Sequence, residues 1–324
     1  MPISDRDRRL AERLEALYRA YGVETMESDP IVFPARYERP EDREAAGWIA
    51  SAFAYGRVET IQANVGRVLT ALGPRPAETL DRTEDFSVLA AERLGGFRHR
   101  FHGAADAAAL LFAIASARRE AGSVGSFFAG LFRPEEPDVA GLLSRAAARL
   151  TSLDFRPATG QRALPEESPA RFFFPDPARG SACKRWNLYL RWMVRKDALD
   201  FGLWPFVPTD RLVIPTDTHI HLVSRRLGLT RRRTADWKTA RQITDALRRF
   251  DQTDPVRFDY ALCRVGIFGI CQKQMSKSRC HQCVALEACP AARRRIGPSR
   301  DRAMGPGPLP DHPITRSPDR PIAL

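Results

Sequence analysis

Apolar residues recur every three or four positions along most of this chain, and that spacing confines it to helices. The stretch "EDREAAGWIASAFAYGRVETIQANVGRVLTALG" (41–73) carries the pattern and closes on Gly73 before Pro74. "AADAAALLFAIASARREAG" (104–122) reads as a buried helix ending at Gly122, and "VAGLLSRAAARLTSL" (139–153) repeats the period. "SACKRWNLYLRWMVRK" (181–196), "THIHLVSRRLGL" (218–229) and "ADWKTARQITDALRRF" (235–250) follow. Alternating strand patterns are scarce, so the expected class is all-α. Two proline-rich stretches interrupt the helices. Residues 155–180 predict a long ordered loop, because the three consecutive phenylalanines Phe172, Phe173 and Phe174 call for burial. Residues 291–324 cannot build a core and predict a disordered Pro/Arg-rich tail behind a helical body at 1–290.

No apolar run approaches the length of a membrane span, and the charged start "MPISDRDRRLAERLEALYRAYG" lacks the apolar centre of a signal peptide. A cytoplasmic protein is expected, nucleoid-associated if bacterial. Net charge is +12, of which the tail contributes +4, leaving +8 on residues 1–290. Such a body suits a polyanionic partner such as DNA or RNA, although an arginine-rich composition alone would give the same balance.

Four of the six cysteines fall within "CQKQMSKSRCHQCVALEACP" (271–290), spaced Cys271-x8-Cys280-x2-Cys283-x5-Cys289 and followed by Pro290. Structural zinc sites usually show two close pairs, whereas only Cys280 and Cys283 form one here. Uneven spacing within one compact loop suits a [4Fe-4S] cubane held by four thiolates, with Zn2+ and free thiols as the alternatives. Lys273, Lys277, Arg279 and Arg293 would offset the negative charge of a thiolate-bound cluster. Cys183 and Cys263 lie in apolar helical patterns and read as small core residues.

This loop resembles the C-terminal iron–sulfur loop of endonuclease III-type DNA glycosylases, whose usual pattern is C-x6-C-x2-C-x5-C; the last two gaps match and the first is longer here. "LVIPTDTHIHLVSRRLGL" (212–229) resembles the D-T-H stretch of the same helix-hairpin-helix superfamily, including its arginine-rich helix. The resemblance implies a two-lobed helical fold ending in the cysteine loop, and DNA carrying a damaged base as the partner. It implies that Asp217 assists departure of the base, by stabilising charge on the sugar or activating the attacking group. Asp217 is equally well placed as an N-cap for the helix that follows.

Bifunctional members of that superfamily also use a lysine that attacks C1′ and forms a Schiff base. Lys184 in "GSACKRWNLYLRWMVRKD" is the candidate, with Ser181 as the expected N-cap and Lys184 in the first turn, where the helix end favours the neutral amine. Lys196, at the other end, is its rival. Cys183, Trp186, Leu190 and Val194 share one helical face, which should pack inward. Lys184, Leu188, Arg191 and Arg195 form a neighbouring stripe, read either as a phosphate-contacting face or as a solvated basic one. The superfamily's glycine-rich hairpin has no counterpart: "KDALDFGLWPFVPTD" (196–210) contains one glycine, Gly202, and Lys184 precedes Asp217 by 33 positions. That longer spacing resembles archaeal 8-oxoguanine glycosylases.

"AGWIASAFAYGRVETIQANVGRVL" (46–69) resembles the early barrel helix of these enzymes, with Ala54-Tyr55-Gly56-Arg57 where their DNA-facing turn falls. Tyr55 and Arg57 would then meet an extruded base; otherwise Tyr55 is core and Arg57 surface. "FRHRF" (97–101) is a second basic–aromatic cluster. His219, beside Asp217, joins Tyr55, Arg57, Arg191 and Arg195 as a nucleic-acid candidate. The chain as a whole also resembles an uncharacterised bacterial family with "GSACKR…LRWMVR" and "DTH" blocks. The reading is a DNA glycosylase with possible AP-lyase chemistry; the rivals are a nucleic-acid-binding protein on a glycosylase-like fold, and a zinc-stabilised protein with no such role.

Overall fold

A computed structural model describes residues 4–296. The class is all-α: fifteen helices account for most of the described chain, and the only sheet among the described residues is a two-residue antiparallel pair, Arg98–His99 with His102–Gly103. No helix among them is long and apolar enough to cross a membrane.

The chain divides into two compact units, residues 26–215 and residues 1–25 joined with 216–324. The division falls between Pro215 and Thr216, immediately before Asp217. The helix Asp5–Ala20 packs with Asp259–Ile267 and with the turns Pro255–Phe258 and Leu286–Ala288.

The 26–215 unit is built around the helix Ala104–Ala121, whose residues Ala107 to Ala115 are all buried. Its alanine-rich flanks let neighbouring helices approach closely, and Phe86–Arg93, Val124–Leu131 and Pro76–Arg82 pack on it. The helix stops at Gly122, which takes the left-handed conformation (φ 83°) that a side chain disfavours. The helices Pro40–Ala52 and Lys184–Val194 pack together. A Cβ on Gly47 would stand 2.8 Å from Met193 Cε, so this glycine sets how near they come. Trp48, Phe128, Trp186, Tyr189 and Trp204 form the aromatic centre, with Trp48 and Trp186 centroids 5.1 Å apart. Two polar handles fix it: Tyr189 donates to the Glu44 carbonyl at 2.9 Å and Trp204 Nε1 to the Glu44 carboxylate at 2.7 Å.

The expected loop at 155–180 consists of short helical turns, Arg156–Thr159, Pro169–Phe173 and Pro177–Arg179. Phe173 and Phe174 are buried, as expected, but Phe172 is 41% exposed. The long pattern at 41–73 is two helices, Pro40–Ala52 and Val58–Leu72, broken at Phe53–Arg57.

In the other unit, the helices Thr218–Leu227 and Asp259–Ile267 pack against each other closely enough that a Cβ on Gly266 would meet His219 Nδ1 at 2.6 Å. Asp5–Ala20 buries Leu10, Leu14 and Leu17 against Asp259–Ile267 and the cysteine loop. Residues 290–296 form a helix, so the segment expected as tail begins in ordered structure; the rest of it lies outside the described residues.

Candidate functional site

Asp217 ends an extended segment and caps Thr218–Leu227: its Oδ1 accepts from the amides of His219 at 2.9 Å and Ile220 at 2.8 Å. Two amides on one carboxylate oxygen hold the side chain at the helix N-terminus, where the macrodipole favours an anion. The carboxylate is half-buried, and Cys263 Sγ lies 4.0 Å from its Oδ2. Cys263 was expected to be an ordinary core residue; it is a half-buried neighbour of Asp217. His219 packs over Gly266.

The same helix carries the cysteine loop at its other end. Arg226 Nη1 donates to Cys271 Sγ at 3.1 Å and Ser278 Oγ at 2.8 Å, and its Nη2 to the carbonyls of Gln272 and, at 3.1 Å, Lys273. Cys289 Sγ donates in return to the Arg226 carbonyl at 3.6 Å. One guanidinium thus ties together the loop's first thiol and the residues after it. The paired arginines at the end of an amphipathic helix are the only local mark of this tie.

All four loop cysteines are unpaired by disulfides. Burial pushes the Cys283 thiol up to about 12, and Cys289, Cys271 and Cys280 all push the same way. Burial likewise raises Cys271, against the pull of Arg226. Cys283 therefore lies within electrostatic reach of the other three sulfurs. Among the described residues, however, no group of three or more His, Cys, Asp or Glu side chains converges closely enough to hold a metal ion. The donor type and number fit a thiolate-bound centre; the side-chain convergence does not.

Lys184 is the first residue of Lys184–Val194. Its N-cap is Cys183, in the left-handed region at φ 48°, rather than the expected Ser181; Ser181 Oγ instead accepts from the Cys183 amide at 3.1 Å. Lys184 is half-buried and its Nζ donates to the Ala54 carbonyl at 2.7 Å, fastening the helix start to the break at 53–57. Lys184 belongs to the 26–215 unit and Asp217 to the other. Lys196, the rival, is exposed.

The stripe beyond Lys184 turns inward. Arg191 and Arg195 are 2% and 4% exposed, and both are paired with the buried carboxylate of Asp200, Arg191 at 3.2 Å. Arg195 also reaches Asp197 at 2.9 Å. A guanidinium enters an interior only with a partner, and the turn after this helix supplies two. These arginines are neither a phosphate-contacting face nor a solvated one. The Asp197–Gly202 turn they hold folds back so that Phe201 donates to the Trp192 carbonyl at 2.8 Å.

Tyr55 is half-buried and Arg57 exposed at the N-cap of Val58–Leu72. Tyr55 sits within an aromatic group: it meets His99 edge-on at 4.5 Å and Phe172 at 5.1 Å, and its hydroxyl bonds His102 Nδ1. Burial raises its phenol well above the ordinary range. Behind it lies a residue that sequence reasoning missed. Arg185 is 8% exposed, its guanidinium 3.5 Å from the Phe172 ring centre and 5.5 Å from Tyr55. It donates to the carbonyls of Phe172 and, at 3.4 Å, Ala52, and no carboxylate pairs with it among the described residues. Burial pulls it down to about 9, which leaves it charged at neutral pH. Its spacing to Leu188, Tyr189 and Trp192 on one helical face was the available signal.

No curated protein and no solved structure matches the chain. The family model described as "Protein of unknown function (DUF2400)" matches residues 29–268, a span that takes in Tyr55, Lys184, Arg185 and Asp217 and stops before Cys271. The chain belongs to the DUF2400 family.

Proposed function

We propose that this protein is a DNA base-excision enzyme that acts on a damaged base turned out of the helix. The observation that carries the reading is the Thr218–Leu227 helix: Asp217 caps its start and Arg226 at its end holds the cysteine loop, so the two motifs that resemble endonuclease III-type glycosylases form one module. Excision requires access to C1′, which stacking and pairing deny inside a duplex. In this reading Asp217 stabilises positive charge as the N-glycosidic bond breaks, or orients the attacking group. Lys184, released from Ala54 and with its ammonium proton given to solvent, adds to C1′ as the base departs; the C1′–O4′ bond then opens, O4′ takes a proton, and the sugar is held as a Schiff base. By donor type and number Cys271, Cys280, Cys283 and Cys289 suit a [4Fe-4S] cluster, or Zn2+ in its place, and would have to draw together to hold it. Such a centre would brace a loop carrying Lys273, Lys277 and Arg279, which would meet phosphate.

A second reading, nucleic-acid binding without excision, draws support from Lys184: its bond to the Ala54 carbonyl gives the amine a structural use within its own unit. Base release from duplexes carrying oxidised or deaminated bases separates the two. Excision expects free base from the parent and none from Asp217→Asn, with affinity kept. Tight binding and no release from the parent on any duplex would leave the binding reading.

A further inference from the structure

Two exposed aromatic rings of the 26–215 unit lie side by side. Phe101 is 49% exposed and Phe172 41%, with ring centres 5.2 Å apart and planes at 75°. Phe101 occupies the two-residue turn of the hairpin Arg98–His99/His102–Gly103, and its partner in that turn, Arg100, takes the left-handed φ of 58°. A side chain disfavours that conformation, so the packing of His99 and His102 holds the turn in place. Both rings are rigidly backed. His102 stacks on Phe173 at 4.4 Å and donates from Nε2 to the Pro169 carbonyl at 2.9 Å; Arg185 lies against Phe172.

We propose that the Phe101–Phe172 face is a stacking platform for the unpaired bases of a single-stranded nucleic acid. Two aromatic faces in water, braced from behind, present flat apolar area at little entropic cost, and every base has a π-face to lay on them. The charge around them selects the occupant. Arg57, Arg98 and Arg100 are exposed and form no ion pair among the described residues, and a Cβ on Gly56 would stand 3.5 Å from Arg100 Cδ, which places that arginine over the 53–57 break. Arg185 adds a buried cation whose partners are carbonyls and rings, not a carboxylate. Aromatic faces beside the exposed Arg100 and backed by Arg185 are complementary to bases on a phosphate chain, with Asp106 the one carboxylate among the described residues that acts on Tyr55 and His102. The inference rests on the nucleic-acid part of the proposed function and not on excision.

The test is fluorescence anisotropy of the full chain with labelled oligothymidylate, oligouridylate and an abasic oligomer of equal length. The platform predicts that removing the bases weakens binding by at least about tenfold, and that Phe101→Ala costs about 5- to 100-fold with an unchanged salt dependence. Phe101→Trp should restore affinity, and Arg100→Ala should flatten the salt dependence. Thymidylate against uridylate identifies DNA or RNA as the preferred chain, either being a base-stacking ligand. Equal binding of the abasic oligomer, or full affinity in Phe101→Ala, would overturn the platform; Phe101 is exposed enough that its loss leaves folding intact, which circular dichroism checks. Platform binding without base release would remove the excision reading and keep this one. Base release that is indifferent to Phe101→Ala would do the reverse.

Discussion

Arg226→Ala removes the guanidinium that joins the Asp217 helix to the cysteine loop. Four hydrogen bonds go with it, to Cys271 Sγ, Ser278 Oγ and the carbonyls of Gln272 and Lys273. A bond from a charged donor is worth about 1.5–3 kcal/mol net, but these four share one side chain that is half-buried, and the freed carbonyls can take water. The discounted loss is about 2–4 kcal/mol, felt locally because the partners lie in one short segment. At the lower figure the loop opens about 30-fold more often. Limited trypsinolysis reads this directly, since Lys273, Lys277 and Arg279 all lie inside the segment. Cleavage there should accelerate about 30-fold or more, while the exposed neighbour Arg225→Ala leaves it unchanged. If Arg226→Ala cleaves no faster than the parent, the guanidinium does not hold the loop, and the Asp217 helix and the cysteine loop are not one module.

Other consequences are independent of that one. Arg191→Met should destabilise the 26–215 unit by about 3 kcal/mol, because breaking a buried pair leaves Asp200 short of a partner. Urea unfolding followed by tryptophan fluorescence measures the loss; a change below about 0.5 kcal/mol would mean the site is solvated. His99 and His102 are both depressed by burial, each using both ring nitrogens as a neutral tautomer: His99 Nε2 with the Tyr55 carbonyl at 2.9 Å and Nδ1 with Asn64 at 3.0 Å, His102 with Pro169 and Tyr55. The unfolded chain takes up protons first, so this stability is present above the ordinary histidine value of about 6.5 and is lost as pH falls below it. The urea midpoint should drop between about pH 7 and pH 5, and an unchanged midpoint would contradict the neutral assignment. Gly266→Ala should push His219 off its packing and cost about 1–3 kcal/mol; a fully stable variant would show that the two helices separate freely. Anaerobically purified protein should carry iron with visible absorbance that Cys280→Ser abolishes, whereas zinc without colour would select the alternative centre.

The helices were legible because their apolar period reports the buried face directly, and the breaks at Gly73 and Gly122 announced themselves through glycine. Asp217 as a cap was legible for the same local reason. What failed was everything that depends on distant partners. Arg191 and Arg195 have the spacing of a surface stripe, and only the carboxylate of Asp200, brought back by the turn at 197–202, turns that stripe inward. Phe172 looks no different from Phe173 in the sequence, yet the short helical turn at Pro169–Phe173 presents one ring to water and one to the core. Arg185 hid between the proposed nucleophile and a tryptophan. Nothing local in Asp5–Ala20 says that it completes a unit formed by the chain's last third.

The proposal that this chain excises a damaged base is tested by borohydride trapping against duplexes with oxidised, deaminated and abasic sites. A covalent adduct on one damaged base, lost in Lys184→Gln and lost with base release in Asp217→Asn, is the expected result. No adduct and no released base on any duplex, with binding intact, would contradict it.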